Sequence, residues 1–143
     1  MRVKLFLATV GSRGDNEPFK ALALEAAAAG HEVFFAHTND IPSQPQAPYT
    51  DVALPGSMGE VIARQGVSVF KALKNYSSVM KPMMERILEE TTQQILALKP
   101  DVVVYHPKVL TAATAAHAVG GIAIRAEMVP ILNPTDEFAP VGM

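Results

Sequence analysis

Short apolar runs alternate with alanine-rich stretches along the chain. Val3–Thr9 is a run of strand formers soon ended by glycine, the pattern of a strand covered on both faces in a parallel sheet. Glu17–Ala29 carries Leu22, Leu24 and many alanines and stops at Gly30, which predicts a helix with glycine past its carboxyl end. His31–His37 predicts a second strand, and such a strand–helix–strand unit crosses over right-handed. Thr38–Pro55 holds Pro42, Pro45, Pro48 and Pro55, so no long helix fits there. Val52–Leu54 predicts a brief third strand, Gly56–Gly59 a turn, and Glu60–Gln65 one or two helical turns. Val69, Phe70, Leu73 and Tyr76 fall at helical spacing and predict a helix over Val67–Val79. Pro82 opens another helix, carrying Met83, Ile87, Leu88, Ile95 and Leu98 and ending before Pro100. Asp101–Tyr105 predicts a buried strand, Val109–Val119 an alanine-rich helix closed by Gly120-Gly121, and Ile122–Ile124 a last strand. Strands alternating with helices predict an α/β fold: a doubly wound, mostly parallel, Rossmann-like sheet.

Composition narrows the classes. The 143 residues suit one domain, residues 1–143, able to bury a core without a staple. There is no cysteine, which fits a reducing compartment and sets the expectation of a cytoplasmic location. Lys plus Arg number 12 against 14 Asp plus Glu; this lacks the basic excess of a nucleic-acid binder. Apolar residues make up 49% and charged ones 18%, too apolar for disorder. No apolar run approaches the ~20 residues of a membrane-spanning helix. Met1–Val10 superficially resembles a secretion signal, but its apolar core is brief, and it reads as the first strand. Between Val102 and Ile124 the one formal charge is Lys108, so that stretch is expected to be deeply buried, or to face an apolar ligand or a partner.

In an open α/β sheet, ligands sit beyond the carboxyl ends of the strands. Gly11–Asp15, His37–Asp40, His106–Lys108 and Glu127–Glu137 all fall there. The sharpest is Gly11-Ser12-Arg13-Gly14-Asp15-Asn16-Glu17-Pro18. It is neither a phosphate loop nor the dinucleotide fingerprint. Asp15 and Glu17 put negative charge where a helix amino terminus would draw phosphate, so the loop favours a hydroxyl or a cation. Asp15 reads either as a helix cap or as an acceptor of a hydroxyl proton. Arg13 reads as a surface ion partner or a ligand clamp. His106 and His37 sit on the ligand side, either as turn residues or as ligand contacts; His106 is also a candidate to orient Asp15. His31 and His117 read as structural. No spacing of His and carboxylates matches a metal site, and no serine has a nucleophile-elbow context. Met80, Met83 and Met84, near Phe70, Leu73 and Tyr76, suit either core or the wall of an apolar pocket.

Gly11–Asp15 followed by Pro18-Phe19, then Ala21-Leu22-Ala23 and Ala29-Gly30-His31-Glu32-Val33, resembles the start of a GT-B glycosyltransferase. The likeness is to the amino-terminal, acceptor-binding domain of glycosyltransferase family 28, and within it to bacterial sterol glucosyltransferase-like and antibiotic glycosyltransferases. Leu54-Pro55-Gly56, Lys99–Lys108 and the proline-rich Met128–Pro140 agree. The resemblance implies a hexosyltransferase that moves sugar from a UDP- or TDP-hexose to a hydroxyl of a lipophilic acceptor, sterol-like or natural product. It implies Asp15 as general base. Ser12, Arg13, Gly14, His106, Met128, Pro130 and Phe138 are implied on the acceptor side. It implies no cofactor or metal in this chain, and a donor domain missing beyond Met143, so that the chain alone is expected to be an inactive fragment. A lipophilic acceptor leaves room for peripheral membrane contact, and an exposed seam for self-association. The prolines at 42, 45 and 48 depart from the family's short helix there, and that pocket wall is expected to differ. The competing reading is a non-catalytic nucleotide-binding or partner-docking α/β module.

Overall fold

The structure, a computed structural model, describes residues 1–63, 74 and 76–128. In chain order it contains β1 (Lys4–Ala8), α1 (Arg13–Ala28), β2 (Glu32–His37), β3 (Thr50–Ala53) and α2 (Met58–Ala63). A π-helical stretch, Tyr76–Met80, runs into α3 (Lys81–Leu98), followed by β4 (Val102–Tyr105), α4 (Ala112–Ala118) and β5 (Ile122–Arg125). The strands form one sheet in the order β3-β2-β1-β4-β5, and all four pairings are parallel. Leu5 of β1 faces Val33 on one side and Val102 on the other. The strand order reverses between β1 and β4, which opens a crevice at the carboxyl ends of those two strands.

Alternate residues of each strand point to opposite faces, and both faces are packed. Phe6, Ala8, Ala36 and Val103 meet Ile87 and Ile95 of α3 and Ala112, Ala115 and Ala116 of α4. Leu7, Val33, Phe35 and Val104 meet Phe19, Ala23 and Ala26 of α1, with Ile41 and Tyr49 beside them. Two-sided burial is why these strands read as unbroken apolar runs. It accounts for only part of the charge-poor stretch. Val103, Val104 and Val109 are buried, but Ile122 and Ile124 of β5 are 63% and 47% exposed.

Two elements start two residues earlier than the sequence expectation, β3 at Thr50 and α2 at Met58, so that Met58 and Gly59 of the expected turn are helical. Three other boundaries differ more. First, α1 starts at Arg13, four residues early, so the glycine-rich segment is the helix's first turn. Ser12 is extended (φ −74°, ψ 179°), and the Asp15 and Asn16 N–H groups both donate to its carbonyl. Pro18 therefore lies inside α1 and denies the Gly14 carbonyl its usual donor four residues on. Second, α4 starts at Ala112. Before it, Val109 N–H donates to the His106 carbonyl (2.8 Å) and Ala112 N–H to that of Val109 (3.2 Å), so successive turns occupy the expected first helical turn. Third, of the helix expected over Val67–Val79, residues 67–73 and 75 lie outside the described residues, Phe70 and Leu73 among them, and Tyr76 onward is π-helical. The end of α3 is as expected. Lys99 turns left-handed (φ 49°, ψ 61°) just before Pro100, because proline disfavours helix in its predecessor. Among the described residues no helix is long and apolar enough to cross a membrane.

Candidate functional site

Asp15 is the third residue of α1, at the mouth of the crevice beside β1. Gly11 has φ +153°, and a Cβ placed on it would lie 2.0 Å from Asp15 Oδ2. Only a glycine lets the backbone pass so close to the carboxylate. The Ser12 main-chain N–H donates to Oδ2 at 2.8 Å, and the Ser12 hydroxyl donates to the same oxygen at 3.3 Å. Two further bonds brace the turn. Asn16, fully buried, donates from Nδ2 to the Gly11 carbonyl (3.0 Å), and Thr9 Oγ1 donates to the Asp15 carbonyl (3.2 Å).

The other wall comes from the end of β4. His106 N–H donates to the Ala8 carbonyl at 2.8 Å, which carries the β1–β4 ladder one step past the strand. The ring is 2% exposed, its Nε2 lies 3.2 Å from Asp15 Oδ1, and its centroid is 6.4 Å from that of Phe19. Lys108 Nζ reaches Oδ2 at 3.5 Å. Burial alone pushes the Asp15 carboxyl up. The Ser12 N–H, the Lys108 ammonium and His106 outweigh burial and hold it below the usual carboxylate range. For His106, burial and the Lys108 charge push the imidazole down, more than Asp15 and Glu127 push it up. The crevice thus holds an ionised carboxylate backed by a neutral imidazole. Glu127, just beyond β5, carries its own cation, with Arg125 Nε 2.8 Å from Oε1.

The other expected site residues are dispersed. Arg13 points outward, 91% exposed, with Nε 3.5 Å from Glu17 Oε1. Gly14 would admit a Cβ with only Ser12 Oγ nearby, at 3.8 Å, so the turn's geometry does not require glycine there. Met128 lies in a cleft of about 50 Å³ with Pro18, Phe19, Leu22 and Ala126, one turn along α1 from Asp15. Pro130 and Phe138 lie outside the described residues. His37 belongs to another network: Nδ1 donates to the Thr38 carbonyl (2.9 Å), and Nε2 lies 3.1 Å from Asp51 Oδ1. Asp51 also accepts from Ser43 Oγ (2.6 Å) and Gln44 N–H (2.7 Å), so His37 ties the proline-bearing loop to β2. Among the described residues no three His, Asp or Glu side chains are placed to hold a metal ion.

A second feature at the carboxyl edge is a cavity of about 320 Å³ lined by Pro55, Gly56, Val61, Val79, Pro82 and Met83, with Glu60 and Arg86 as its charges. Ser57, which also lines it, donates from Oγ to Asp40 (2.8 Å), and Asp40 accepts as well from Thr38 Oγ1 (2.6 Å) and the N–H groups of Met58 and Gly59 (2.8 Å each). Two residues at the crevice take no site role from the sequence, although Lys108 lies within the ligand-side segment His106–Lys108. Lys108 carried a signal, as the lone charge in an apolar stretch. Asn16 carried none, since its burial follows from α1 starting early.

No protein-family model matches the chain, and no curated protein matches it in sequence. Solved structures do. CalG4, the calicheamicin glycosyltransferase, superposes with a TM-score of 0.71 at 20% identity over 97% of this chain and 35% of its own. The glycotransferase of kitacinnamycin gives 0.69 at 17% identity, over 92% of this chain and 32% of its own. Streptomyces sp. SF2575 glycosyltransferase SsfS6, complexed with thymidine diphosphate, gives 0.62 at 21% identity, over 88% and 38%. The chain spans about a third of the length of these structures. Its parallel sheet and flanking helices have the Rossmann-like α/β fold of GT-B glycosyltransferases.

Proposed function

We propose that this chain is the acceptor-binding part of a glycosyltransferase resembling family 28, and that Asp15 is its general base. The observation that carries the reading is the Asp15 carboxylate at the switch point of the sheet. Oδ2 is held by Ser12 and Lys108, while Oδ1 has His106 on one side and a further lone pair to offer a ligand. In the intact enzyme a hydroxyl of a lipophilic acceptor would attack the anomeric carbon of a UDP- or TDP-hexose. The new carbon–oxygen bond forms as the anomeric carbon–phosphate bond breaks, the electron pair leaves with the diphosphate, and Asp15 takes the hydroxyl proton. A carboxylate held below its usual range is a weak base, yet it suffices, because the hydroxyl turns strongly acidic as its oxygen bonds to an electron-poor carbon. The same shift keeps the carboxylate ionised at neutral pH. Asp15 already occupies this helix terminus, with the Ser12 N–H bonded to its Oδ2, and so competes with a diphosphate there, which supports a donor held elsewhere. The cavity walled by Val61, Val79 and Met83 supports a lipophilic acceptor.

The test is ligand-observed NMR on the purified chain with UDP- and TDP-glucose, NAD, NADP and hydroxylated lipophiles including a sterol. Saturation transfer to a lipophilic alcohol, weakened by Asp15→Asn and absent for every nucleotide, is expected. Transfer to a nucleotide, or to no alcohol at all, overturns the proposal.

A further inference from the structure

Imidazole beside a carboxylate usually suggests a relay in which histidine carries the proton and the acid supports it. The polarity here is the reverse. His106 Nδ1 accepts the Lys108 main-chain N–H at 3.1 Å, so Nδ1 is bare and the ring's single proton sits on Nε2, the nitrogen 3.2 Å from Asp15 Oδ1. The Lys108 amide cannot easily turn away. It lies inside the turn closed by Val109 N–H on the His106 carbonyl at 2.8 Å, and the His106 N–H is itself held by the Ala8 carbonyl at 2.8 Å. A second ring proton would have to go on Nδ1, where it would meet that N–H donor head-on. We infer that His106 is a positioning residue locked by the Lys108 amide in its Nε2–H tautomer, which aims the Asp15 carboxylate and takes no proton itself.

Exposure divides the roles the same way. The Asp15 side chain is 21% exposed and that of His106 2%, so the carboxylate meets a ligand and the imidazole stands behind it. The charged and titratable groups facing the ring are Asp15 from α1, Lys108 from its own turn and Glu127 from beyond β5. The burial and Lys108 charge that push the imidazole down agree with a ring that stays neutral. This inference rests on the reading of Asp15 as base, and it adds which oxygen reacts. Oδ2 is occupied by Ser12 and Lys108, so the acceptor proton goes to Oδ1, the oxygen His106 orients.

The test reads tautomer and titration instead of turnover. In long-range proton–nitrogen correlation spectra of the labelled chain, with His106 assigned by loss of its signals in His106→Gln, the ring is expected as the Nε2–H tautomer. That pattern should persist below the ordinary histidine range and survive Lys108→Ala, which keeps the amide. The Asp15 carboxyl, followed by its carbon shift, should titrate below the usual range in the wild type, move up in His106→Leu, and return in His106→Gln, which restores an N–H donor. An Nδ1–H tautomer, an imidazolium at neutral pH, or an Asp15 titration unmoved by His106→Leu overturns the inference. If His106→Leu fails to fold, the wild-type spectrum and His106→Gln decide alone. Failure of the general-base reading would appear as absent alcohol binding and would leave these spectra unchanged.

Discussion

At the scale of single residues, the two glycines of the first motif have opposite requirements. Gly11 must be glycine because its backbone is left-handed and a Cβ would strike Asp15 Oδ2. Gly14 sits in the first turn of α1 with open space around it. Gly11→Ala should therefore destabilise the chain by about 1–3 kcal/mol, the usual cost of such backbone strain, and displace the carboxylate. Gly14→Ala should be neutral or stabilise by up to ~1 kcal/mol, since alanine is the better helix former. Urea denaturation of both variants checks this, and equal losses would show that the close approach at Gly11 is not what selects glycine. The contrast also marks how far the site was legible. The glycines and Asp15 stand out in sequence because glycine permits a tight turn and close backbone approach and a carboxylate is a ready cap for the helix that follows. That only Gly11 is sterically needed depends on where the helix starts. That Lys108 pairs with Asp15 depends on two strands becoming neighbours across 93 positions, which no local pattern encodes.

At the scale of elements, period and breakers placed every strand and most helices, since buried parallel strands are written as short apolar runs and helix ends as Gly30 or Pro100. The boundaries that moved most are those set by capping and turns. Asp15 reaching back to the Ser12 N–H lets α1 begin in what reads as loop, and stacked turns delay α4. A similar device, unread in the sequence, joins β2 to α2. Asp40 follows β2, yet it satisfies the first N–H groups of α2, Met58 and Gly59, across 18 and 19 positions. The first N–H groups of a helix have no partner within it; this carboxylate takes two of them, and Ser57 Oγ accepts the next, from Glu60, at 3.2 Å. Asp40→Ala should cost about 1–3 kcal/mol, the range for losing hydrogen bonds to a charged acceptor. Hydrogen exchange should localise the damage: protection is lost at Met58 and Gly59 and kept at Phe6 and Leu7 in the central strand. Uniform loss of protection would show that Asp40 supports the whole fold instead.

At the scale of the whole molecule, the strand order brings β1 and β4 together as neighbours whose following loops diverge, and the crevice they open collects Asp15, His106 and Lys108 from distant parts of the chain. That assembly, with the Asp40 and Asp51 networks at the same edge, makes the fold sensitive to acid in a set order. His106 is pushed below its ordinary value of 6.5, so the unfolded chain gains the proton first. The stability of the neutral ring is whole above 6.5 and is lost as pH falls through the lower, folded value. Asp15, Asp40 and Asp51 all lie below their ordinary 3.8. Their contribution is whole above that value and fades as pH drops through their folded values. Both stages have the same sign, so stability should be level near neutrality, decline gently below 6.5, and fall steeply below 3.8. His106→Gln should remove the first decline and leave the steep one, because the Asp40 and Asp51 carboxylates do not depend on the crevice. Urea midpoints measured from pH 7.5 to 3 on the wild type and this variant check it. Parallel curves for the two proteins between 6.5 and 4 would mean that the buried imidazole is charged in the folded state, against both the Lys108 amide and the Lys108 ammonium.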